Sequence, residues 1–314
     1  MRHLKGYFFI LGATLFWGIS ATFAKFLFTQ HVDTIVLVQM RMSLSCILLL
    51  LYFLAFKRSF LIVDPKDLYR FALLGIIGGA GSNFTYYFTI HQTNVATAIL
   101  LQYLAPLLVL GYAAVSKDEA LSSVKVLSGL VSLVGCFLAV AGKEFSLVSI
   151  NTPGLLSGLV SACCWAFTNV WLRRLLKRYS AWTCLVYAFI FASLFWIVIN
   201  PPWAIVQAHY SGEMWGTFFI IAIISILIPH SFYFSGIRYL TASRAIITAT
   251  TEQIIAIVSA FLILGETLAP LQIVGAILVI VAIAILQLKQ EPSVDVPSSG
   301  SPQAVSQSIV DERC

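Results

Sequence analysis

Long apolar runs alternate with short polar connectors along nearly the whole chain. A membrane-spanning helix needs about 20 mostly apolar residues. Ten runs qualify, at approximately 7–28, 34–56, 69–90, 94–115, 122–142, 154–174, 181–200, 215–236, 243–264 and 270–288. The pattern predicts an all-α polytopic membrane protein. Connectors are short except for the 201–214 loop, which carries Pro201, Pro202, His209 and Glu213. From about Gln290 the chain is rich in Ser, Pro, Gln and Val without periodicity, so 290–314 is expected to be a disordered tail.

The runs repeat. The stretch from Asn83 to Leu121 returns about 147 residues later, from His230 to Leu268. Tyr86 meets Tyr233, Ala98 meets Ala245, Glu119 meets Glu266, Leu121 meets Leu268, and Asn83 falls on His230. Trp17 precedes Trp165 by 148 residues, and Lys25 precedes Arg173 by the same interval. The expected organisation is two copies of one five-helix unit, 5–143 and 152–288, followed by the tail. Five is odd, so the second copy enters the membrane from the opposite side. Ten transmembrane helices as two inverted five-helix repeats is a recurring construction of secondary transporters, with a central site at the repeat interface.

Composition agrees. The chain is 60% hydrophobic and 10% charged, with a mean hydropathy of +0.93, where a soluble domain carries roughly 25% charged residues. The net charge of +6 would point to nucleic acid in a soluble protein. Here the basic residues sit in short loops and act as topology signals for a lipid bilayer, so no nucleic-acid partner is expected. With the N-terminus in the cytoplasm, the inner side collects Lys57, Arg58, Lys66, Arg70, Arg174, Lys177 and Arg178 among others. The outer half keeps only Lys25, Arg41 and Lys143. Both termini come out cytoplasmic. The first run is too long and aromatic for a cleaved signal peptide. Cys46, Cys136, Cys163, Cys164, Cys184 and Cys314 show no CxxC spacing and read as packing residues, and Cys314 does not fit a CaaX box.

GATLFWGISATFAKF in the first run, Arg41 in the second, NVATAILLQYLAP in the fourth and LGETLAPLQIVGAILVIVAI at the end resemble the EamA family of the drug/metabolite transporter superfamily. The resemblance covers about residues 5–288. It implies two inverted EamA units and the export of amino acids or other small metabolites, in a multi-pass protein of the bacterial inner membrane. One departure stands out. TATTEQIIA occupies a place where many members carry proline, and Pro106 has Gln253 as its counterpart.

Chemistry concentrates in a few spans. Glu252 lies about nine residues into the ninth run, where a charge costs at least ~2.5–3.5 kcal/mol and usually faces a cavity or partner. It is a candidate for proton coupling or for binding a substrate ammonium, against a hydrogen-bonded structural carboxylate. Thr248 stands four residues before it, on the same face of a continuous helix. His230 follows Pro229, whose missing N–H frees a carbonyl beside a cavity. His230 is the second coupling candidate, against a packing histidine. His230, Tyr233 and Phe234 share a face, as do Asn83, Tyr86 and Tyr87 in the other copy. Gln102, Tyr103 and Pro106 mark the fourth run. Trp17 and Trp165 lie away from the interfacial belt where tryptophan is expected, and Asn169 lies one turn past Trp165. Lys25 and Arg173 read as interfacial basic groups, Glu119 and Glu266 as structural carboxylates, and Arg41 stays open between anion attraction and structure.

No GxxxxGK[ST], HExxH or carboxylate–histidine cluster occurs, so neither catalytic residues, metal nor cofactor is expected. The reading is a secondary transporter of a small-molecule substrate, monomer or homodimer, with Trp17, Asn83, Tyr86, Tyr87, Gln102, Tyr103, Pro106, Trp165, Asn169, His230, Tyr233, Thr248 and Glu252 at its site. The alternatives are an importer or exchanger of an anionic metabolite, anchored by Arg41, and a non-transporting membrane sensor.

Overall fold

A bilayer cannot satisfy free backbone groups, so a chain this apolar must bond its N–H and C=O groups within each segment. The computed structural model describes residues 2–29, 33–93, 95–116, 122–141, 151–264 and 269–288, all-helical without strand among them. The helices are α1 (Arg2–Thr29), α2 (Thr34–Phe56), α3 (Leu68–Leu73), α4 (Ser82–Gln92), α5 (Val95–Gln102), α6 (Ala105–Ser116) and α7 (Ser123–Ala141) in the first half. The second half holds α8 (Thr152–Leu175), α9 (Ala181–Ile199), α10 (Pro202–Gln207), α11 (Gly212–Ile221), α12 (Ile228–Ile237), α13 (Ala242–Ala249), α14 (Thr251–Leu264) and α15 (Pro270–Leu288). π-helical turns Leu74–Gly81 and Ala222–Leu227 join α3 to α4 and α11 to α12. Five stretches, Thr34–Phe56, Thr97–Ser116, Thr152–Leu175, Ala181–Ile199 and Gly212–Ile237, are each long and apolar enough to cross a membrane. Glu119, Glu266, Lys143, Cys314, the junction near residue 150 and the 290–314 tail lie outside the described residues, as does the side chain of Lys25.

Polar connector residues set the helix starts. Asp33, Asn151, Ser180, Ser211 and Thr241 each accept a backbone N–H from the first turn of the helix that follows. Such caps stabilise a helix by about 1 kcal/mol each. The long 201–214 connector is not all loop, because Pro202 opens the short helix α10.

Two runs expected to be single helices are broken. In the fourth, the chain turns at Tyr103 and Leu104 before α6, and Pro106 has no N–H to offer the carbonyl of Gln102. In the ninth, the break at Thr250 has no proline. The Thr250 hydroxyl donates to Ile247 O at 2.6 Å and its backbone N–H to the same carbonyl at 3.2 Å. A threonine that bonds its own backbone competes with the helix ladder.

The helices pack with α1 against α12 and α14, α2 against α9 and the second π turn, α4 against α8, and α7 against α15. Large apolar side chains such as Phe8, Val198 and Leu262 point outward, as expected where the surrounding solvent is hydrocarbon. The α7–α15 crossing is close. A Cβ added at Gly275 would lie 2.4 Å from Ala139 N and 2.5 Å from Gly135 O, both backbone atoms that cannot rotate away. Gly275→Ala is therefore expected to force these helices apart and destabilise the protein by about 1–3 kcal/mol. The check is the apparent Tm of purified protein by tryptophan fluorescence, and an unchanged Tm would refute the tight crossing.

One end of the molecule carries an ion cluster joining the two halves. Asp67 is 3% exposed. Its Oδ2 accepts Arg178 Nη1 at 2.7 Å and Tyr179 OH at 2.5 Å, while its Oδ1 faces Arg70 Nη1 at 3.0 Å. Asp64 adds a contact to Arg178 Nη2 at 3.1 Å. Burial, together with the hydrogen bond to Asp67, raises the Tyr179 phenol well above its ordinary range, so it remains a donor.

Candidate functional site

The site begins where α1 passes closest to its neighbours. A Cβ at Gly18 would sit 2.8 Å from Glu252 O and 2.7 Å from Ile255 Cγ2, so only glycine allows this approach. One turn earlier, the Thr251 hydroxyl donates to Thr14 Oγ1 at 3.0 Å. These contacts fix Trp17 between the halves. Its ring centroid lies 5.7 Å from Trp165, 5.2 Å from His230 and 5.2 Å from Tyr233. Those separations are the favourable range for aromatic pairs. Trp165 is in turn 5.1 Å from Tyr233. Asn169 supports this group, its amide donating to Trp165 O at 2.8 Å and its Oδ1 accepting Tyr233 OH at 2.5 Å.

The break at Thr250 explains the setting of Glu252. Gln253 N–H bonds to Thr250 O rather than to the carbonyl four residues back. That carbonyl, Ala249 O, receives Tyr103 OH at 3.3 Å, and the same hydroxyl lies 3.2 Å from Glu252 Oε2. Tyr103 thus ties the break in the first half to the break in the second. Glu252 stands in the first turn of α14, where the helix N-terminus favours a carboxylate. Tyr86 lies within electrostatic reach of Glu252 and of Arg41. Trp17, Tyr86, Trp165 and Glu252 keep partial accessibility, while Asn169, Tyr233 and Thr248 are enclosed.

On the other flank, the second π turn supplies acceptors. Pro229 has no N–H, so Ser225 O has no helical partner four residues on. Arg41 Nη2 approaches that carbonyl at 3.4 Å, and Arg41 Nε donates to Ser225 Oγ at 2.9 Å. One turn along α2, the Ser45 hydroxyl donates to Ala222 O at 2.8 Å. The guanidinium lies over the Tyr87 ring, 4.6 Å from its centroid. His230 Nδ1 is 3.0 Å from Ile226 O. A carbonyl only accepts, so Nδ1 carries the proton and Nε2 is left without a partner among the described residues.

Of the residues expected from sequence, Trp17, Trp165, Asn169, His230 and Tyr233 form one cluster. Tyr103 and Glu252 form a second, and Tyr86 and Tyr87 run between that pair and Arg41. Others bond elsewhere. Asn83 donates to Gly79 O in the π turn just before α4, and Gln102 reaches Ser161 Oγ at 3.1 Å, tying α5 to α8. Thr248 donates to Arg244 O at 2.7 Å, and the break places it in α13, apart from Glu252 in α14, so the shared face of a continuous helix does not exist. Pro106 is buried behind its break. Arg41, left open from sequence, bonds to Ser225, a residue that was not expected at the site. Their 184-residue separation hides the pair, although Arg41 and Ser45 at i and i+4 carry a polar edge along α2.

A model of the EamA-like transporter family matches the chain twice, over residues 4–141 and 152–288. The chain belongs to the EamA-like transporter family. Among relatives, the uncharacterized inner membrane transporter YicL of Salmonella typhimurium is 25% identical over 289 residues, covering 90% of this chain and 95% of its own. The riboflavin transporter ImpX of Fusobacterium nucleatum is 26% identical over 292 residues, covering 90% and 97%. The threonine/homoserine exporter RhtA of Salmonella typhimurium is 25% identical over 261 residues, covering 81% and 83%. A crystal structure aligns with a TM-score of 0.68 at 20% identity over 91% of this chain and 98% of its own, a likeness of fold alone. The EamA-like chain is thus a multi-pass membrane protein among small-metabolite transporters.

Proposed function

We propose that this protein exports an amino acid or a related small metabolite across the inner membrane by alternating access. Ten spanning helices form two inverted five-helix repeats, 5–143 and 152–288, with both termini cytoplasmic. The observation that carries the reading is the meeting of both halves around Trp17, which touches Trp165, His230 and Tyr233, while Tyr103 reaches Glu252.

Irregular backbone supports the repeat. The π turns begin at Leu74 and Ala222, and the breaks fall at Tyr103 and Thr250, spaced as the sequence repeat is spaced. Non-helical backbone inside a membrane is tolerated where it is buried in protein or lines a cavity. A single chain supplies residues from both halves to this cluster. RhtA's threonine and homoserine favour an amino acid, whereas ImpX's riboflavin leaves room for a larger aromatic solute.

The test is uptake of a labelled panel of amino acids and metabolites into liposomes holding the purified protein, with and without an imposed pH gradient. Saturable flux of a panel solute, absent from protein-free liposomes, is the expected result. Binding without movement of any solute would favour a membrane sensor and sink the transport reading.

A further inference from the structure

The clearest feature that the transport reading leaves unused is Arg41. It is 4% exposed, and none of its contacts is a carboxylate. Ser225 occupies Nε and approaches Nη2, and Tyr87 covers one face. Nη1 has no hydrogen bond among the described residues and is not sealed from accessible space. A guanidinium in a membrane interior is costly and ordinarily pairs with an acid or faces a water-filled cavity. The other titratable groups that sense its charge do not fill that role. His230 and Tyr86 lie within its electrostatic reach, and neither is an acid pair for it. Glu252 bonds only to Tyr103 among the described residues.

We propose that Arg41 is the substrate's anion anchor: its open guanidinium edge, fixed by Ser225 and Tyr87, receives a single carboxylate of the transported solute. The occupied Nε leaves the Nη1–Nη2 end for that contact. An arginine fork matches a carboxylate in two parallel hydrogen bonds. One cation, with the Glu252 carboxylate also within electrostatic reach of Tyr86, suits a monoanion and disfavours a doubly charged phosphate. The π turn has a stated part: Pro229 leaves Ser225 O free, and Ser225 holds the guanidinium in place. The assignment rests on the transport reading only in supposing that the site opens to water on at least one side.

Phenylglyoxal, which modifies accessible arginine, provides the test on purified full-length protein, with Arg41 modification followed by peptide mass spectrometry. Acetate, pyruvate and L-threonine are each compared with the corresponding neutral amide. The expected result is that at least one carboxylate slows modification of Arg41 by about tenfold, the scale of one charge-assisted hydrogen bond, while its amide does not. In liposomes, flux of a carboxylate solute is expected to fall about 10- to 100-fold in Arg41→Gln and to recover in part in Arg41→Lys. Arg41 that reacts equally with every anion present, or that the reagent never reaches, overturns the anchor. Protection without flux would instead overturn transport and leave the anion site standing. Flux of carboxylates unchanged in a folded Arg41→Gln protein would overturn the anchor and leave transport standing. Should Arg41→Gln fail to fold, protection of the wild-type residue decides alone.

Discussion

Glu252→Gln protein, reconstituted in liposomes, is expected to lose the pH-gradient dependence of its flux while keeping the fold. Glutamine matches the shape of glutamate and can still accept from Tyr103, which lies 3.2 Å from Oε2 in the native protein. The lost charge at the start of α14 costs about 0.3–1 kcal/mol of helix stabilisation. Against that stands the removal of a charge from the membrane interior, a gain of similar or greater size. Stability should therefore change little, and the functional effect can be read cleanly. A glutamine cannot take up or release a proton. If Glu252 is the coupling group, gradient-driven accumulation falls at least about tenfold, while exchange of labelled for unlabelled solute continues. Loss of exchange as well, in a folded protein, would place Glu252 on the substrate itself. Flux and gradient dependence both unchanged would make it a structural carboxylate of a broken helix.

Tyr103→Phe separates these roles further. It removes the hydroxyl that bridges Ala249 O and Glu252. A shift in the pH dependence of flux is expected if the pair acts together.

The apolar runs were readable because the bilayer demands a length and a composition, and both are written in consecutive residues. Trp17 and Trp165 were readable for a different reason. Their common offset from the repeat announced that they occupy matching places, and they meet at 5.7 Å. Pro229 likewise announced a free carbonyl, and Ser225 O is used by Arg41. The break at Thr250 was not readable, because no proline marks it and threonine is ordinary within apolar helices. It arises from the side chain bonding Ile247 O. The π turns were missed for a related reason: one extra residue in a helical turn does not alter hydrophobic periodicity enough to be seen. Glycines at 75, 78, 79 and 81 offered a hint. A Cβ at Gly75 would come within 2.6 Å of Ala188 O, so that turn lies close against α9. Partners distant in sequence, such as Arg41 with Ser225 or Asp67 with Arg178, had no local signal at all.

Asp67→Ala is expected to lower stability by about 2–3 kcal/mol. Removing one partner from a buried ion pair typically costs about 3–5 kcal/mol, and the figure is reduced here because Arg178 is half exposed. Three donors lose an acceptor at once: Arg178, Tyr179 and Arg70. Tyr179 is the most affected, since its hydroxyl is buried and keeps only the long 3.3 Å contact from Asp64 N–H. Apparent Tm by tryptophan fluorescence measures the loss, and Asp67→Ala combined with Arg178→Ala should fall well short of the sum of the single effects. Strict additivity, or no change for Asp67→Ala, would show that the cluster does not hold the halves together. Acid tests the same cluster. Asp64 is held below the ordinary carboxylate range, first by the Lys66 backbone N–H and also by Arg178. A carboxylate lowered on folding stabilises above its unfolded pKa and loses that contribution as pH falls through the lowered value. The contribution of Asp64 should therefore be full at neutral pH and fade below about pH 4. In our orientation this end is cytoplasmic, so opening toward the cytoplasm would have to separate 64–70 from 178–179. Asp67→Ala, where it still folds, is then expected to make Arg41 more reactive to phenylglyoxal applied from that side. An unchanged rate would mean that the halves part somewhere else.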